Sequence, residues 1–162
     1  MRGVQEIART NTTIRMGELG VSIDDGVLRT LLGSCIGLAL YDPTHKVGGL
    51  AHIVLPRSRS PNDPPGKYVD TAIPALCAQM ETLAGRSLKP TARIAGGANM
   101  FSTSVTRTVG AQNLTATEQL LDELGIPLTG RHCGGEQGRR MSMDTTTGVI
   151  MIEVVGSDPI EL

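Results

Sequence analysis

A cysteine and a histidine in the first third of the chain are the residues whose types and spacing could do covalent chemistry. Cys35 follows Gly33 and Ser34, and His52 lies beyond the next turn signal. A thiol attacks a carbonyl carbon effectively as the thiolate, and a neighbouring imidazole is the usual group that removes its proton. The pair predicts a nucleophile with its base, provided that the fold brings the two side chains together.

The segments around these two residues predict how that could happen. Residues 35–41 and 48–55 are largely apolar and predict strands, and Asp42 and Pro43 between them are typical of a turn. If facing residue numbers in the hairpin add to between about 87 and 89, Cys35 lies opposite His52 or one diagonal step away. An odd sum places both side chains on one face of the sheet, and an even sum separates them. The hypothesis of a Cys–His pair therefore depends on the register.

The composition argues against nucleic acid as a partner. The chain has 162 residues, with 15 Lys and Arg against 16 Asp and Glu and a formal charge of −1. This balance lacks the basic face on which nucleic-acid binding depends. An aromatic content of 2%, with no Trp, also leaves few rings on which bases could stack.

The cysteines and the apolar runs indicate a cytoplasmic protein. Cys35, Cys77 and Cys133 form an odd, scattered set without a C-x-x-C pair, which fits a reducing compartment and gives no support to a zinc site. No apolar run reaches the length of a membrane span, and we expect no secretory signal. We therefore expect no membrane insertion, no metal and no cofactor.

The apolar patterns predict a single α+β domain. Further strands are expected at residues 27–32, 92–95, 128–133 and 147–155, and helices from about residue 70 to 84 and from about 115 to 124. The second helix would begin at a capping box, Thr115 to Glu118. Strands placed early and late with helices between them predict a mixed β-sheet sandwich with helices packed on the sheet. Residues 1–12 predict a flexible N-terminal segment, and residues 13–162 the single domain.

Ordered motifs over most of the chain resemble one family. The run TLLGSCIGLALYD at residues 30–42, followed by GGLAHIVLP at residues 48–56, resembles the bacterial chemoreceptor glutamine deamidases, the CheD family. The resemblance continues at residues 67–74, 94–101, 113, 134–139 and 147–148. It covers about residues 12–155 and supports reading the whole domain as CheD-like.

The resemblance implies an amidohydrolase that converts selected Gln side chains of chemoreceptor cytoplasmic helices to Glu and ammonia, with some esterase action on methylated Glu. By position, Cys35 matches the family nucleophile and His52 the family base. The third catalytic group of the family is a Thr shortly before the cysteine, and its position falls on or beside Arg29. Thr30 is the better candidate, because a hydroxyl can orient an imidazole whereas an arginine would repel an imidazolium.

Backbone amides near the cysteine complete the expected site. We expect the turn of Gly33, Ser34 and Cys35 to supply N–H donors to an oxyanion, since glycine lets amides point into a site. Asn99 follows Gly96 and Gly97, and two interpretations are open for it. It either closes a tight turn on its own backbone or forms a wall of the substrate site.

Less specific interpretations of the same residues also stay open. A cysteine in an apolar strand is often an inert core residue, and we expect this of Cys77. Cys133 and His132 are adjacent in a predicted strand, so their side chains point to opposite faces. Arg139 and Arg140, expected in a loop, could approach an acidic receptor helix.

Two other functions compete with deamidation of receptors. The family is known to bind a CheC-type chemotaxis phosphatase, so the chain could be a regulatory binding module with little catalysis of its own. A general thiol hydrolase would share the Cys–His pair. An intact Cys35 and His52 disfavour a purely regulatory role, because a regulator has no need of both.

Overall fold

The computed structural model describes residues 10–99 and 108–162, which form ten strands, a short 3₁₀ helix and two α-helices. In chain order these are β1 (Thr10–Thr13), β2 (Leu19–Ile23), β3 (Gly26–Leu32), β4 (Ile36–Asp42), β5 (Val47–Ile53), the 3₁₀ helix (Pro65–Lys67), α1 (Val69–Ala84), β6 (Thr91–Gly96), α2 (Val109–Glu123), β7 (Leu128–Cys133), β8 (Arg139–Asp144), β9 (Ile150–Glu153) and β10 (Ile160–Glu161).

The strands form two mixed five-stranded sheets. The helix-covered sheet has the order β2-β5-β4-β6-β7, and the second sheet has the order β1-β3-β8-β9-β10. Parallel pairing joins β6 to β7 and β1 to β3, while the other neighbours are antiparallel. The predicted α+β sandwich in one domain is confirmed.

The central strands β4 and β5 are buried along their whole length because both of their faces are covered. On one face, Ile36, Leu38 and Leu40 pack into an apolar core with residues of α1. On the other face, Ala39 and Tyr41 pack into a core between the two sheets. Alternate residues of one strand therefore serve two different cores.

Two glycines in β5 allow both layers to approach it closely. A Cβ at Gly48 would lie 2.8 Å from Cγ2 of Thr145, next to the second sheet, and a Cβ at Gly49 would lie 2.6 Å from Cδ1 of Leu76 in α1. A side chain at either position would require these neighbouring side chains to shift.

The first helix agrees with its prediction, and the second begins earlier than predicted. α1 ends at Gly85, whose left-handed backbone lets its N–H donate to the Glu81 carbonyl. α2 begins at Thr108, whose hydroxyl accepts from the Ala111 N–H, so the predicted capping box at Thr115 is wrong. The first turns of α2 contain few large apolar residues, which is why the apolar pattern missed them. Within the described residues, no helix is long and apolar enough to cross a membrane.

The sequence pattern missed β8, which lies at the centre of the second sheet. Its inward residues are Arg139, Met141 and Met143, all buried. Arg139 and Arg140 were expected in a loop, because a charge at the first inward position obscures the alternation that is typical of a strand. The last long strand is also shorter than predicted, since β9 occupies only Ile150–Glu153.

The N-terminal segment is partly described. Thr10–Thr13 pair in parallel with β3, so residues 10–12 of the segment predicted to be flexible lie in a strand. The rest of that segment, residues 1–9, lies outside the described residues.

Candidate active site

Cys35 lies where the chain passes from one sheet to the other. β3 ends at Leu32 in the second sheet, residues 33–35 form a bend, and β4 begins at Ile36 in the helix-covered sheet. Thr30 is buried on the inward side of β3. Cys35 is in phase with Ala39, which faces the core between the sheets. An unbroken strand would send Thr30 and Cys35 to opposite faces, whereas after the change of sheet the alternation of β4, continued by one residue, turns Cys35 toward the interior that Thr30 faces.

The β4–β5 hairpin has an odd register. Ile36 pairs with Ile53 and Gly37 with His52, so facing residue numbers add to 89. Continued by one residue, this register places Cys35 opposite Val54 and makes His52 its diagonal neighbour on the same face. Of the registers that the sequence left open, the hairpin has the sum of 89, which is the one that corresponds to a diagonal arrangement.

His52 is held by a hydrogen bond between the two sheets. Thr30 Oγ1 lies 2.7 Å from His52 Nδ1 and donates to the Ile14 carbonyl, also at 2.7 Å. A hydroxyl has one proton to donate, so Thr30 accepts the Nδ1–H of His52. The tautomer thus has Nδ1 protonated, and Nε2 carries a lone pair that has no hydrogen-bond partner among the described residues.

Arg29, the alternative position for the third group, lies elsewhere. Its guanidinium donates to Asn11 Oδ1 at 2.9 Å, in an exposed contact between β1 and β3. Of the two neighbouring residues, Thr30 is the one that contacts His52.

Burial favours the neutral forms of both site residues. The residue Cys35 is 7% exposed and His52 is 5% exposed. Burial raises the pKa of the Cys35 thiol and lowers the pKa of the His52 imidazole. Burial thus favours the thiol over the thiolate and the neutral imidazole over the imidazolium, and the neutral imidazole is the form that can accept a proton.

Residues 96–99 lie against the cysteine turn. The Gly97 N–H donates to the Cys35 carbonyl at 2.9 Å, and the Ala98 N–H donates to the Gly33 carbonyl at 3.0 Å. The main chain of Asn99 is tied to a second glycine loop, since its N–H donates to the Gly135 carbonyl at 2.8 Å. This segment borders the site, as one of the two interpretations of Asn99 requires.

The other cysteines lie away from His52. Cys77 lines a cleft beside α1, and Cys133 contacts the Ile94 carbonyl through its sulfur at 3.8 Å. Both pack against the helix-side core, on the opposite face of the sheet from His52. Among the described residues, no cluster of three or more His, Cys, Asp or Glu side chains could hold a metal ion.

Arg139 is the residue near the site whose place the sequence analysis got wrong. It is only 6% exposed, and its guanidinium donates to backbone carbonyls, so it cannot approach an acidic helix as predicted. Arg140, the next residue, is exposed. The spacing of Arg139 with Met141 and Met143 was the signal that could have identified a buried arginine in a strand.

Comparisons with known proteins agree with the resemblance. The family model described as CheD chemotactic sensory transduction matches residues 54–154. The probable chemoreceptor glutamine deamidase CheD of Methanococcus vannielii is 41% identical over 86% of this chain and 92% of its own length. The chemoreceptor glutamine deamidase CheD of Thermotoga maritima is 38% identical over 88% of this chain and 91% of its own length. The range of the family model begins after residues 35 and 52, whereas the two relatives match over most of the chain.

The contact between Gly96 and the cysteine turn gives a stability prediction. Gly96 has φ +102, and a Cβ there would lie 2.1 Å from the Cys35 carbonyl oxygen. We expect Gly96→Ala to lower the free energy of unfolding by about 2–4 kcal/mol, measured by urea denaturation. Gly156→Ala is the control, because Gly156 has φ +82 with no atom within 4 Å, and should cost about 1 kcal/mol. Equal losses in the two variants would show that the contact is unimportant.

The neutral state of the pair gives a prediction for thiol reactivity. Because burial raises the pKa of Cys35, its alkylation by iodoacetamide should still accelerate beyond the ordinary thiol pKa of 9.0. The rate is measured by mass spectrometry of the Cys35 peptide across a pH series, with Cys35→Ala as the blank. A rate that reaches its plateau near neutral pH would contradict the prediction, since it would indicate a stabilised thiolate.

Proposed function

The chain belongs to the CheD family, and from this premise we propose that it deamidates selected Gln side chains of methyl-accepting chemotaxis receptors, giving Glu and ammonia. Its relatives carry the name chemoreceptor glutamine deamidase. The observation that carries the proposal for this chain is the Thr30–His52 hydrogen bond. It holds the imidazole in the tautomer whose free Nε2 can serve as a base on the face that Cys35 shares.

In the first step, Cys35 Sγ attacks the side-chain carbonyl carbon of the Gln while His52 Nε2 accepts the thiol proton. This transfer creates an imidazolium in a site that otherwise favours neutral groups. Thr30 lessens the cost, because its oxygen already accepts the Nδ1–H and its own proton is held by the Ile14 carbonyl. Thr30 therefore keeps the ring oriented as its charge changes.

The attack also places a negative charge on the substrate oxygen. The amides of Gly97 and Ala98 already donate to carbonyls of the cysteine turn. We therefore assign the oxyanion donors to backbone amides of the turn itself, at Ser34 and Cys35, with Gly33 permitting their approach. Asn99, on the neighbouring segment, is assigned to the wall that receives the Gln side chain.

The second half of the reaction uses the same histidine twice. The imidazolium donates its proton to the departing nitrogen, so that ammonia leaves and a thioester with Cys35 remains. Water then attacks the thioester carbonyl as His52 accepts a water proton. The C–S bond breaks, Glu is released and the Cys35 thiol regains its proton. No cofactor enters this sequence.

A regulatory role as a binding module for a CheC-type phosphatase remains the alternative. Such a role does not need a buried histidine with a fixed tautomer and a free Nε2. The site therefore supports catalysis over regulation alone. Binding of a CheC-type partner in addition to catalysis stays a prediction, as does the cytoplasmic location that both functions require.

Mass spectrometry of a co-expressed chemoreceptor fragment tests the proposed reaction. The wild-type protein should convert particular Gln residues to Glu, detected as a small mass increase at defined sites, and Cys35→Ala should abolish the conversion. Cys77→Ala is the matched control and should retain it, since Cys77 lies on the other face of the sheet. Peptide cleavage or cross-linking in place of site-specific conversion would instead indicate a general thiol hydrolase.

The role of Thr30 is tested by a pair of substitutions. Thr30→Val preserves the shape but not the hydroxyl, and we expect kcat to fall by about tenfold or more. Thr30→Ser keeps the hydroxyl and should retain most of the activity. Turnover of the receptor fragment is measured for both variants. Retained activity in Thr30→Val together with a loss in Thr30→Ser would show that the branched side chain matters through packing and not through the hydrogen bond to His52.

A further inference from the structure

Arg139 is a buried cation that the proposed reaction does not use. Its side chain enters the space at the end of the sandwich from β8, and burial lowers the pKa of the guanidinium. Among the described residues, no carboxylate lies within ion-pair distance of it. Burying a charge without a counter-charge is costly unless its hydrogen bonds are satisfied.

Acceptors at the end of β7 and in the loop that follows it bind both terminal nitrogens of this guanidinium, while its Nε has no hydrogen-bond partner among the described residues. Nη1 donates to the His132 carbonyl at 2.7 Å and to His132 Nδ1 at 2.8 Å. Nη2 donates to the carbonyls of Gly134 and Gln137. The loop that follows β7 therefore wraps around the guanidinium, and the left-handed backbone of Gly134 and Gly135 makes this path possible.

The wrapped loop is hydrogen-bonded in turn to the segment that borders the site. The Gly134 N–H donates to the Gly96 carbonyl at 2.9 Å, and the Gly135 carbonyl accepts from Asn99. The following residues of that segment, Gly97 and Ala98, donate to the cysteine turn as described above. A continuous path of hydrogen bonds thus leads from the guanidinium to the backbone of Cys35.

The backbone of Arg139 reaches the other end of the same turn. In the antiparallel pairing of β3 with β8, Arg139 faces Leu32, the last residue before the turn. The main chain of Arg139 therefore pairs with the strand that enters the turn. Its side chain holds the loops that flank the turn.

From this arrangement we propose that Arg139 is a positioning residue for Cys35. It holds the two glycine loops so that the cysteine turn keeps one backbone conformation, and it does not touch the substrate. The inference deepens the proposed function, since it explains how the Cys35 thiol and the turn amides keep their places relative to His52. A planar fork with several donors is required, which an ammonium group cannot reproduce.

Substitution of Arg139 by Lys and by Met, with Arg140→Lys as the matched control, tests the proposal. Arg140 is the next residue of β8 and is exposed, with only a loose ion pair to Glu153 at 3.8 Å. We expect both Arg139 variants to lower kcat on the receptor fragment by about 10- to 100-fold with a much smaller change in KM, because a displaced nucleophile loses alignment more than affinity. The control should keep both values.

A second readout does not depend on the deamidase reaction. The alkylation rate of Cys35 should rise several-fold in Arg139→Lys, because a loosened turn exposes the buried thiol, and should not change in Arg140→Lys. If the wild-type protein modifies no receptor Gln but this difference in alkylation is found, the proposed function fails and the positioning role stands. An Arg139→Lys variant that is folded by circular dichroism, with unchanged kcat and unchanged alkylation, overturns the positioning role.

Hydrogen exchange of the wild-type protein covers the case in which neither Arg139 variant folds. The amides of Gly97, Asn99 and Gly134 should exchange as slowly as those of the adjoining strand β6, because they belong to one hydrogen-bonded unit. Exchange of these amides at the rate of an exposed loop would overturn the proposal.

Discussion

The site depends on a hydrogen bond between two polar side chains, Thr30 and His52. Both are buried between sheets whose facing surfaces are otherwise mainly apolar. Thr30 comes from one sheet and His52 from the other, and burial without hydrogen bonds would be costly for both. The Ile14 carbonyl accepts the hydroxyl proton of Thr30, so the Thr30 oxygen accepts the Nδ1–H of His52. The packing of the sheets thereby selects the histidine tautomer and leaves Nε2 as the free nitrogen.

The same burial sets the electrostatic character of the site. It opposes charge on both the Cys35 thiol and the His52 imidazole, and so favours a neutral pair over a thiolate–imidazolium pair. In the proposed reaction, charge is created when a substrate carbonyl is present to receive the sulfur and when backbone amides can stabilise the resulting oxyanion. The proposed reaction therefore depends on the placement of the main chain around Cys35.

Much of this could be predicted from local sequence. The hairpin with Cys35 and His52 follows from two apolar segments around an Asp-Pro turn, and α1 follows from its apolar spacing and the glycine that ends it. These signals are local, because a turn or a helical face is determined by residues that are near one another in the chain. The residue types and the family resemblance then identified Cys35, His52 and Thr30 as candidates, and the α+β class followed from the order of the elements.

Only the tertiary structure decided that Thr30 contacts His52. Side-chain alternation along one strand would separate Thr30 from Cys35, and the chain avoids this by changing sheets at Gly33 and Ser34. The sequence also did not reveal the role of Arg139. A charged residue at an inward strand position is typical of a loop, and the carbonyls that bind it are known only from the structure. Sequence patterns determine which residues form strands and which faces are apolar. The partner across a sheet interface is set by packing between distant segments, and no local pattern contains that information.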